Sequence, residues 1–270
     1  MSSAIEKLVI KVGTATLSSL DADKAINIEI IEKLTNVISK LKKTGYKVAL
    51  VTSGAVALGV KRLSLSAKPK TILGKQVAAA VGQALLMQTY EKHFSKHDIP
   101  IAQILLTRDG FAQKEIYINA RETISEMLNM KILPIINEND AVASEEIKFG
   151  DNDMLSAMVS ELISADRLII LTDEDGLHDT NPKKNKDAKL ISLVEKITPE
   201  IEKMASGEGS EFSLGGMVTK VQAAKLATSR GIKTHVMHGK NPEKIFEVLE
   251  NKNIGTTFLP SSVKQKKEKN

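Results

Sequence analysis

The chain contains no cysteine, which excludes a disulfide framework, a thiolate metal site and thiol chemistry. It has no tryptophan, and aromatic residues make up only 3%, too few for the stacking platforms that hold single-stranded nucleic acid. No apolar run approaches the roughly 18 residues that a membrane span needs. Residues 1–11 lack the basic-then-apolar pattern of a secretory signal, so a cytoplasmic location is expected. Neither a GxxxxGKS/T loop nor GxGxxG occurs, so any phosphate site must be built another way. Excess charge is also scarce. The formal net charge is +5, and residues 261–270 supply +3 of it through Lys264, Lys266, Lys267 and Lys269 against Glu268. That segment reads as a basic, solvated and disordered tail, and neither nucleic acid nor a membrane is an expected partner.

What is present is ordinary globular composition, 42% hydrophobic and 26% charged, over 270 residues. No Pro-, Gly- or Ser-rich linker divides the chain, so one continuous domain over 1–260 is expected, with two lobes meeting near residue 165. Buried-strand runs fall at 6–12, 48–52, 101–107, 133–136, 168–172 and 233–237, with a closing strand at 256–259. Helical patterns fall between them at 27–44, 75–97, 119–130, 154–163, 218–230 and 242–250. In the first of these, Ile30, Ile31, Leu34, Val37, Ile38 and Leu41 share one face and Gly45 marks the stop. Strands alternating with helices predict an α/β fold with a mainly parallel central sheet covered on both faces.

The most informative stretch is Asn137-Glu138-Asn139-Asp140, where the apolar run 132–136 ends, together with Asp151-Asn152-Asp153, where the next helical pattern opens. Strand carboxyl ends form the ligand crevice of α/β proteins, and helix N-termini carry partial positive charge. Asn both donates and accepts, whereas ionised Asp only accepts, so the set suits a zwitterion bearing an ammonium and carboxylates. Either cluster alone also reads as a plain turn or a helix cap. Both flanking one hairpin-like insert, 141–150, favour a site.

Four further groups could carry chemistry. Lys11 is a charge inside the apolar strand Leu8, Val9, Ile10, Val12, next to Gly13, and is either a phosphate-facing cation or a solvated edge residue. Thr52-Ser53-Gly54-Ala55 ends a strand and opens a helix, which suits anion binding by backbone N–H groups or an ordinary turn. Gly215-Gly216-Met217-Val218-Thr219-Lys220 opens another helix, with Lys220 aimed back toward its start. Thr172-Asp173-Glu174-Asp175-Gly176 ends a strand in carboxylates, either beside a nucleotide or metal or as a solvated loop.

In their order along the chain, these motifs resemble the amino acid kinase family, closely the branch acting on the side-chain carboxylate of L-glutamate. The matching residues are Ile10 through Thr14, Val51 through Ala55, Lys75 through Gln83, Asn119-Ala120-Arg121, Ile136 through Val142, Phe149 through Asp153, Leu171-Thr172-Asp173, Asp175-Gly176-Leu177 and Gly215 through Lys220. The resemblance implies a three-layer αβα sandwich, with acceptor held by the N-terminal lobe and ATP by the C-terminal lobe. It implies transfer of the ATP γ-phosphoryl to glutamate, giving L-glutamyl 5-phosphate, the first step of proline biosynthesis. By motif position Lys11 and Lys220 would neutralise the phosphoryl, and Asp153 would hold those lysines. Ser53, Asp140 and Asn152 would bind glutamate. Lys11, Thr172, Asp173 and the run Leu214, Gly215, Gly216, Met217, Val218, Thr219 and Lys220 would bind ATP. Mg2+ is expected with the nucleotide, with no ligands assigned. A homo-oligomer and feedback inhibition by proline also follow from the resemblance.

Three departures stand out. Ser213-Leu214 replaces the usual Gly-Thr ahead of Gly215, His178 stands where tyrosine is common, and the expected domain ends near Pro260 without the PUA domain many relatives add. The alternatives are another carboxylate or carbamate kinase of this family and a non-catalytic amino-acid sensor on the same fold. Both motif lysines and Asp153 are present, which argues against the sensor.

Overall fold

Alternation along the first strand, β1 (Lys7–Val12), decides what each of its residues faces. Leu8, Ile10 and Val12 enter one apolar core, and Val9 enters the other. Lys11, two residues beyond Val9, therefore points to the second face, at the carboxyl end of the strand. The computed structural model describes residues 5–18, 25–143, 152–182, 184–206 and 216–261. Within them β1 lies at the centre of an eight-stranded sheet.

The neighbours of β1 are β2 (Lys47–Val51) and β5 (Arg167–Thr172), both parallel to it. Beyond β2 come β4 (Leu133–Glu138) and β3 (Ile101–Leu106), again parallel. Beyond β5 come β7 (Lys233–His238), β8 (Thr256–Phe258) and β6 (Leu193–Val194), giving the order β3-β4-β2-β1-β5-β7-β8-β6. Among the described residues only the β7–β8 pairing of these strands is antiparallel, so six of them run one way and the last two the other. The expected mainly parallel sheet is present.

Helices cover both faces, making the three-layer αβα sandwich. On one side lie α2 (Ile28–Lys43), α4 (Ile72–Phe94) and α10 (Ile245–Leu249), whose Leu34, Leu86 and Ile245 share a core with Leu8 and Ile10. On the other lie α6 (Lys114–Asn129), α7 (Asn152–Leu162) and α9 (Met217–Ser229), whose Ile124, Leu155 and Val221 pack with Val9. Short helices α1 (Thr14–Leu17), α3 (Ala55–Arg62), α5 (Arg108–Ala112) and α8 (Pro199–Ser206) complete the set. Helix α3 crosses α4 at backbone contact: a Cβ on Gly82 would lie 1.7 Å from the Ala55 carbonyl oxygen, and one on Gly59 would lie 1.7 Å from that of Ala78. Only glycine permits that approach.

Several boundaries differ from the sequence reading, each for a local reason. Helix α4 starts at Ile72, not 75, because Thr71 caps it by accepting from Gly74 N at 3.1 Å. Helix α6 starts at Lys114, not 119; its first turn is solvated and carries no apolar stripe. Strand β4 does not stop at Ile136. It continues through Asn137 and Glu138, paired in register with Leu105 and Leu106 and buried. The turn reading therefore holds only from Asn139 onward. Most of the insert 141–150, Asp151 and nearly all of the tail 261–270 lie outside the described residues.

Candidate active site

The carboxyl ends of β4, β2, β1 and β5, four neighbours in the sheet, open into one cavity of about 790 Å³. Its wall includes Glu138 at the end of β4 with Asp140 beyond it, Ser53 and Gly54 after β2, Lys11 on β1 with Gly13 after it, and Thr172 at the end of β5 with Asp173 beyond it. Asn152 from α7 and Lys220 from α9 close the far side. This is the strand-end crevice expected of a parallel α/β sheet.

At its floor sits Asp153, fully buried in the first turn of α7. Its Oδ1 lies 2.6 Å from Lys11 Nζ and its Oδ2 lies 3.0 Å from Lys220 Nζ. Thr219 Oγ1 also donates to Oδ2, at 2.8 Å. Lys11 is 2% exposed and Lys220 6%, so three charges meet in a nearly dry place. Burial pushes the Asp153 carboxyl up, but the Lys11 and Lys220 ammonium groups outweigh it and hold the group down at about 2. The carboxylate therefore stays ionised at any working pH. Glycine at 13 is a packing requirement: a Cβ there would stand 2.9 Å from Lys11 Nζ. Two ammonium groups converging on one carboxylate beneath an open cavity form a seat for an anion.

On the β2–β4 side a polar network replaces charge. Asn152 Nδ2 approaches three acceptors, Thr52 O at 2.5 Å, Asn137 Oδ1 at 2.8 Å and Ser53 Oγ at 2.9 Å. Asn137 Nδ2 in turn donates to Gln83 Oε1 on α4 at 2.8 Å. Thr52 Oγ1 and the buried Tyr90 hydroxyl lie 2.7 Å apart. The network fixes Ser53 and Asn152 on rigid elements at the rim. Gly54, at φ 104°, makes the tight entry to α3, a left-handed conformation that costs glycine least.

On the β5 side, buried Thr172 donates to the exposed Asp173 carboxylate at 3.1 Å. Gly216, Met217, Val218 and Thr219 lie at the start of α9, half-buried. Leu214 and Gly215 lie outside the described residues. His178 is 3.4 Å from Asp175 and bridges to Leu190 outside the cavity wall.

Lys11, Lys220, Asp153, Ser53, Asp140, Asn152, Thr172 and Asp173, drawn from six separate stretches, thus come together around one space. Tyr90 was missed, and Gln83 stood in a matching motif with no assigned role. Asn137 belonged to the polar set read as a ligand site, but its link to Gln83 was not foreseen; extending strand alternation through Asn137 turns that residue toward α4 and would have exposed it. Lys68 and Lys75 also line the cavity; Lys75 opens a matching motif but was given no role, and nothing singled out Lys68.

A family model described as "Amino acid kinase family" matches residues 6–238. Among curated proteins, the chain is 48% identical over 251 residues to a glutamate 5-kinase of Bacillus cereus, covering 93% of this chain and 68% of that protein. It is 49% identical over 258 residues to a glutamate 5-kinase of Moorella thermoacetica, covering 96% and 68%. Among solved structures, carbamate kinase from Giardia lamblia bound to AMP-PNP matches with a TM-score of 0.67 at 17% identity, over 96% of this chain and 99% of that one. UMP kinase from Bacillus anthracis matches with a TM-score of 0.64 at 14% identity, over 95% and 97%. At those identities the structural likeness speaks for the fold.

Proposed function

The chain belongs to the amino acid kinase family, and we propose that it acts as a glutamate 5-kinase, moving the ATP γ-phosphoryl to the side-chain carboxylate of L-glutamate. The product is L-glutamyl 5-phosphate, the first step of proline biosynthesis. The observation that carries this reading is the buried Lys11–Asp153–Lys220 arrangement beneath the cavity.

The acceptor carboxylate is ionised at neutral pH, so transfer needs no general base. One of its oxygens attacks the γ-phosphorus, the bond from that phosphorus to the ADP oxygen breaks, and the electron pair leaves with ADP. No proton moves. Two anions must approach each other, and charge builds on the transferring and leaving oxygens. Lys11 and Lys220 would neutralise that charge, and Asp153 acts through them by fixing both ammonium groups. Asp140 would take the substrate ammonium, with Ser53 and Asn152 binding the rest of glutamate in the N-terminal lobe, about 1–165. Thr172, Asp173 and the segment 214–220 would bind ATP in the C-terminal lobe, about 166–260.

Mg2+ binds through one or two carboxylates plus phosphate oxygens rather than in an all-protein cage. That fits a wall bearing Asp173 where, among the described residues, no three His, Cys, Asp or Glu side chains cluster. Asp173 would hold the ion, which when bound screens the phosphate oxygens. A homo-oligomer belongs to the same reading. No helix among the described residues is long and apolar enough to cross a membrane. A cytoplasmic location and inhibition by proline belong to the same reading.

The test is ADP release with L-glutamate, N-acetylglutamate and aspartate as acceptors, for wild type and Asp140→Ala. We expect release with glutamate, preferred over N-acetylglutamate by about 10²–10³-fold, since acylation strips Asp140 of its ionic partner. Asp140→Ala should raise KM for glutamate steeply and that for ATP little. Equal use of N-acetylglutamate by wild type would overturn both the acceptor assignment and the role of Asp140. Absence of glutamate-dependent ADP release would favour a sensor.

A further inference from the structure

Glutamate bound as proposed brings a second carboxylate into the cavity, bonded to the same carbon as the ammonium. Asp140, Glu138 and Asp173 already line that space, so an unmatched α-carboxylate there would be repelled. Among the described residues the cations on the wall are Lys11, Lys220, Lys68 and Lys75. The first two are drawn onto Asp153 at the floor, where the phosphoryl would sit. The choice is between Lys68 and Lys75.

Their settings differ. Lys68 lies in an exposed connection between α3 and α4. Lys75 is half-buried in the first turn of the 23-residue α4, its backbone N–H bonded to Thr71 O at 3.1 Å. Side chains in a helix lean toward its N-terminus, so Lys75 reaches past the start of α4 toward the cavity. The next residue ties this turn to the acceptor end. Gln76 Nε2 donates to Ala143 O at 3.2 Å, which ties the first turn of α4 to the turn that begins at Asp140. A cation on a rigid helix thus lines the same cavity as the carboxylate proposed for the ammonium. Opposite charges on one wall match the two charges of an α-amino acid head.

We infer that Lys75 is a specificity-determining residue that binds the α-carboxylate of the acceptor, so that Asp140 and Lys75 together read the zwitterionic end of an α-amino acid while Lys11 and Lys220 serve the reacting end. This rests on the glutamate kinase reading above and assigns a role to a residue outside that reading. Ala55, Val56 and Ala57 at the start of α3, behind Gly54, line the same cavity, and their backbone N–H groups would supply part of the same interaction.

The experiment compares L-glutamate with its 1-amide, in which a neutral carboxamide replaces the α-carboxylate and the reacting carboxylate is untouched. The ratio of kcat/KM for the two acceptors is measured for wild type, Lys75→Met, Lys75→Gln, Lys75→Arg and Lys68→Met. A hydrogen bond between charged groups is worth about 10- to 100-fold, so the preference for glutamate should fall by that factor in Lys75→Met and Lys75→Gln. The loss should appear in KM, with kcat on the amide close to wild type, and Lys75→Arg should retain most of the preference. A merely structural role for Lys75 would depress both acceptors alike and leave the ratio unchanged, which overturns the inference. A larger fall in ratio for Lys68→Met than for Lys75→Met overturns it as well. Should wild type release no ADP with glutamate, the functional reading fails and this inference with it; normal glutamate turnover with an unchanged ratio sinks the inference alone.

Discussion

Asn152 donates from Nδ2 to Asn137 Oδ1 at 2.8 Å, so the two polar clusters on either side of the insert 141–150 touch directly. An amide nitrogen has two hydrogens, and Asn152 faces three acceptors, so Thr52 O, Ser53 Oγ and Asn137 Oδ1 share them. One side chain thereby joins the ends of β2 and β4 to the start of α7.

Asn152→Ala should therefore act on both stability and binding. Buried acceptors left without a donor cost roughly 1–3 kcal/mol, readable as a lower urea midpoint. The KM for glutamate should rise at the same time, while that for ATP changes little. A variant with wild-type midpoint and wild-type KM would show that the network is incidental.

Lys11→Ala and Lys220→Ala should each lower kcat by about 10²–10³, the usual effect of removing one preorganised charge stabiliser. Asp153 loses one of its two ammonium partners in either case, so folding should be weakened but retained, as checked by circular dichroism. Near-normal turnover in folded Lys220→Ala would remove that residue from the mechanism.

Gly82→Ala tests the helix crossing. Its Cβ would fall 1.7 Å from the Ala55 carbonyl oxygen and 2.5 Å from Gly59 N, so α3 and α4 must move apart. Overpacking typically costs about 1–3 kcal/mol, and here the displaced segment carries the cavity rim after Gly54. A lower Tm with a raised KM for glutamate is expected; an unchanged Tm would mean the crossing relaxes freely.

Acid should weaken the fold through His235 on β7. Burial holds this imidazole down to about 3 from its ordinary 6.5, with help from the Arg167 and Lys233 charges. Below pH 6.5 the unfolded chain takes up a proton that the folded chain refuses until about pH 3. The contribution of neutral His235 is thus complete above pH 6.5 and declines on acidification, by up to about 1.4 kcal/mol per pH unit. His235→Gln should flatten the fall in urea midpoint between pH 6.5 and pH 5. Parallel slopes for wild type and variant would exclude this histidine as the cause.

The sheet was legible wherever a strand is an apolar run buried on both sides, as in β1, β2 and β5. Elements without such a signal escaped. Strand β6 is two residues at the sheet edge, and α8 has no buried residue to mark a stripe. Strand β4 ran longer than its apolar run because buried polar side chains can continue a strand when a network satisfies them. Lys11 announced itself as a charge among apolar neighbours. Its meeting with Asp153 and Lys220 could not be read from spacing, because contacts made between strand and helices across the sheet obey no local period. The same holds for Gly59 and Gly82, whose partners lie on another helix.

The central place of β1 has a consequence for synthesis on the ribosome. Lys11 pairs with Ile170 of β5, a partner that is translated roughly ten to thirty seconds later at about 5–20 residues per second. Throughout that interval one edge of an apolar strand has no neighbour, the condition under which nascent chains join one another edge to edge. The charged residues in that strand are Lys7 at its start and Lys11 near its end, and Lys11 sits among the apolar residues as a gatekeeper against such pairing until Asp153 and β5 have emerged. The ammonium group that would later face phosphate first guards the growing chain.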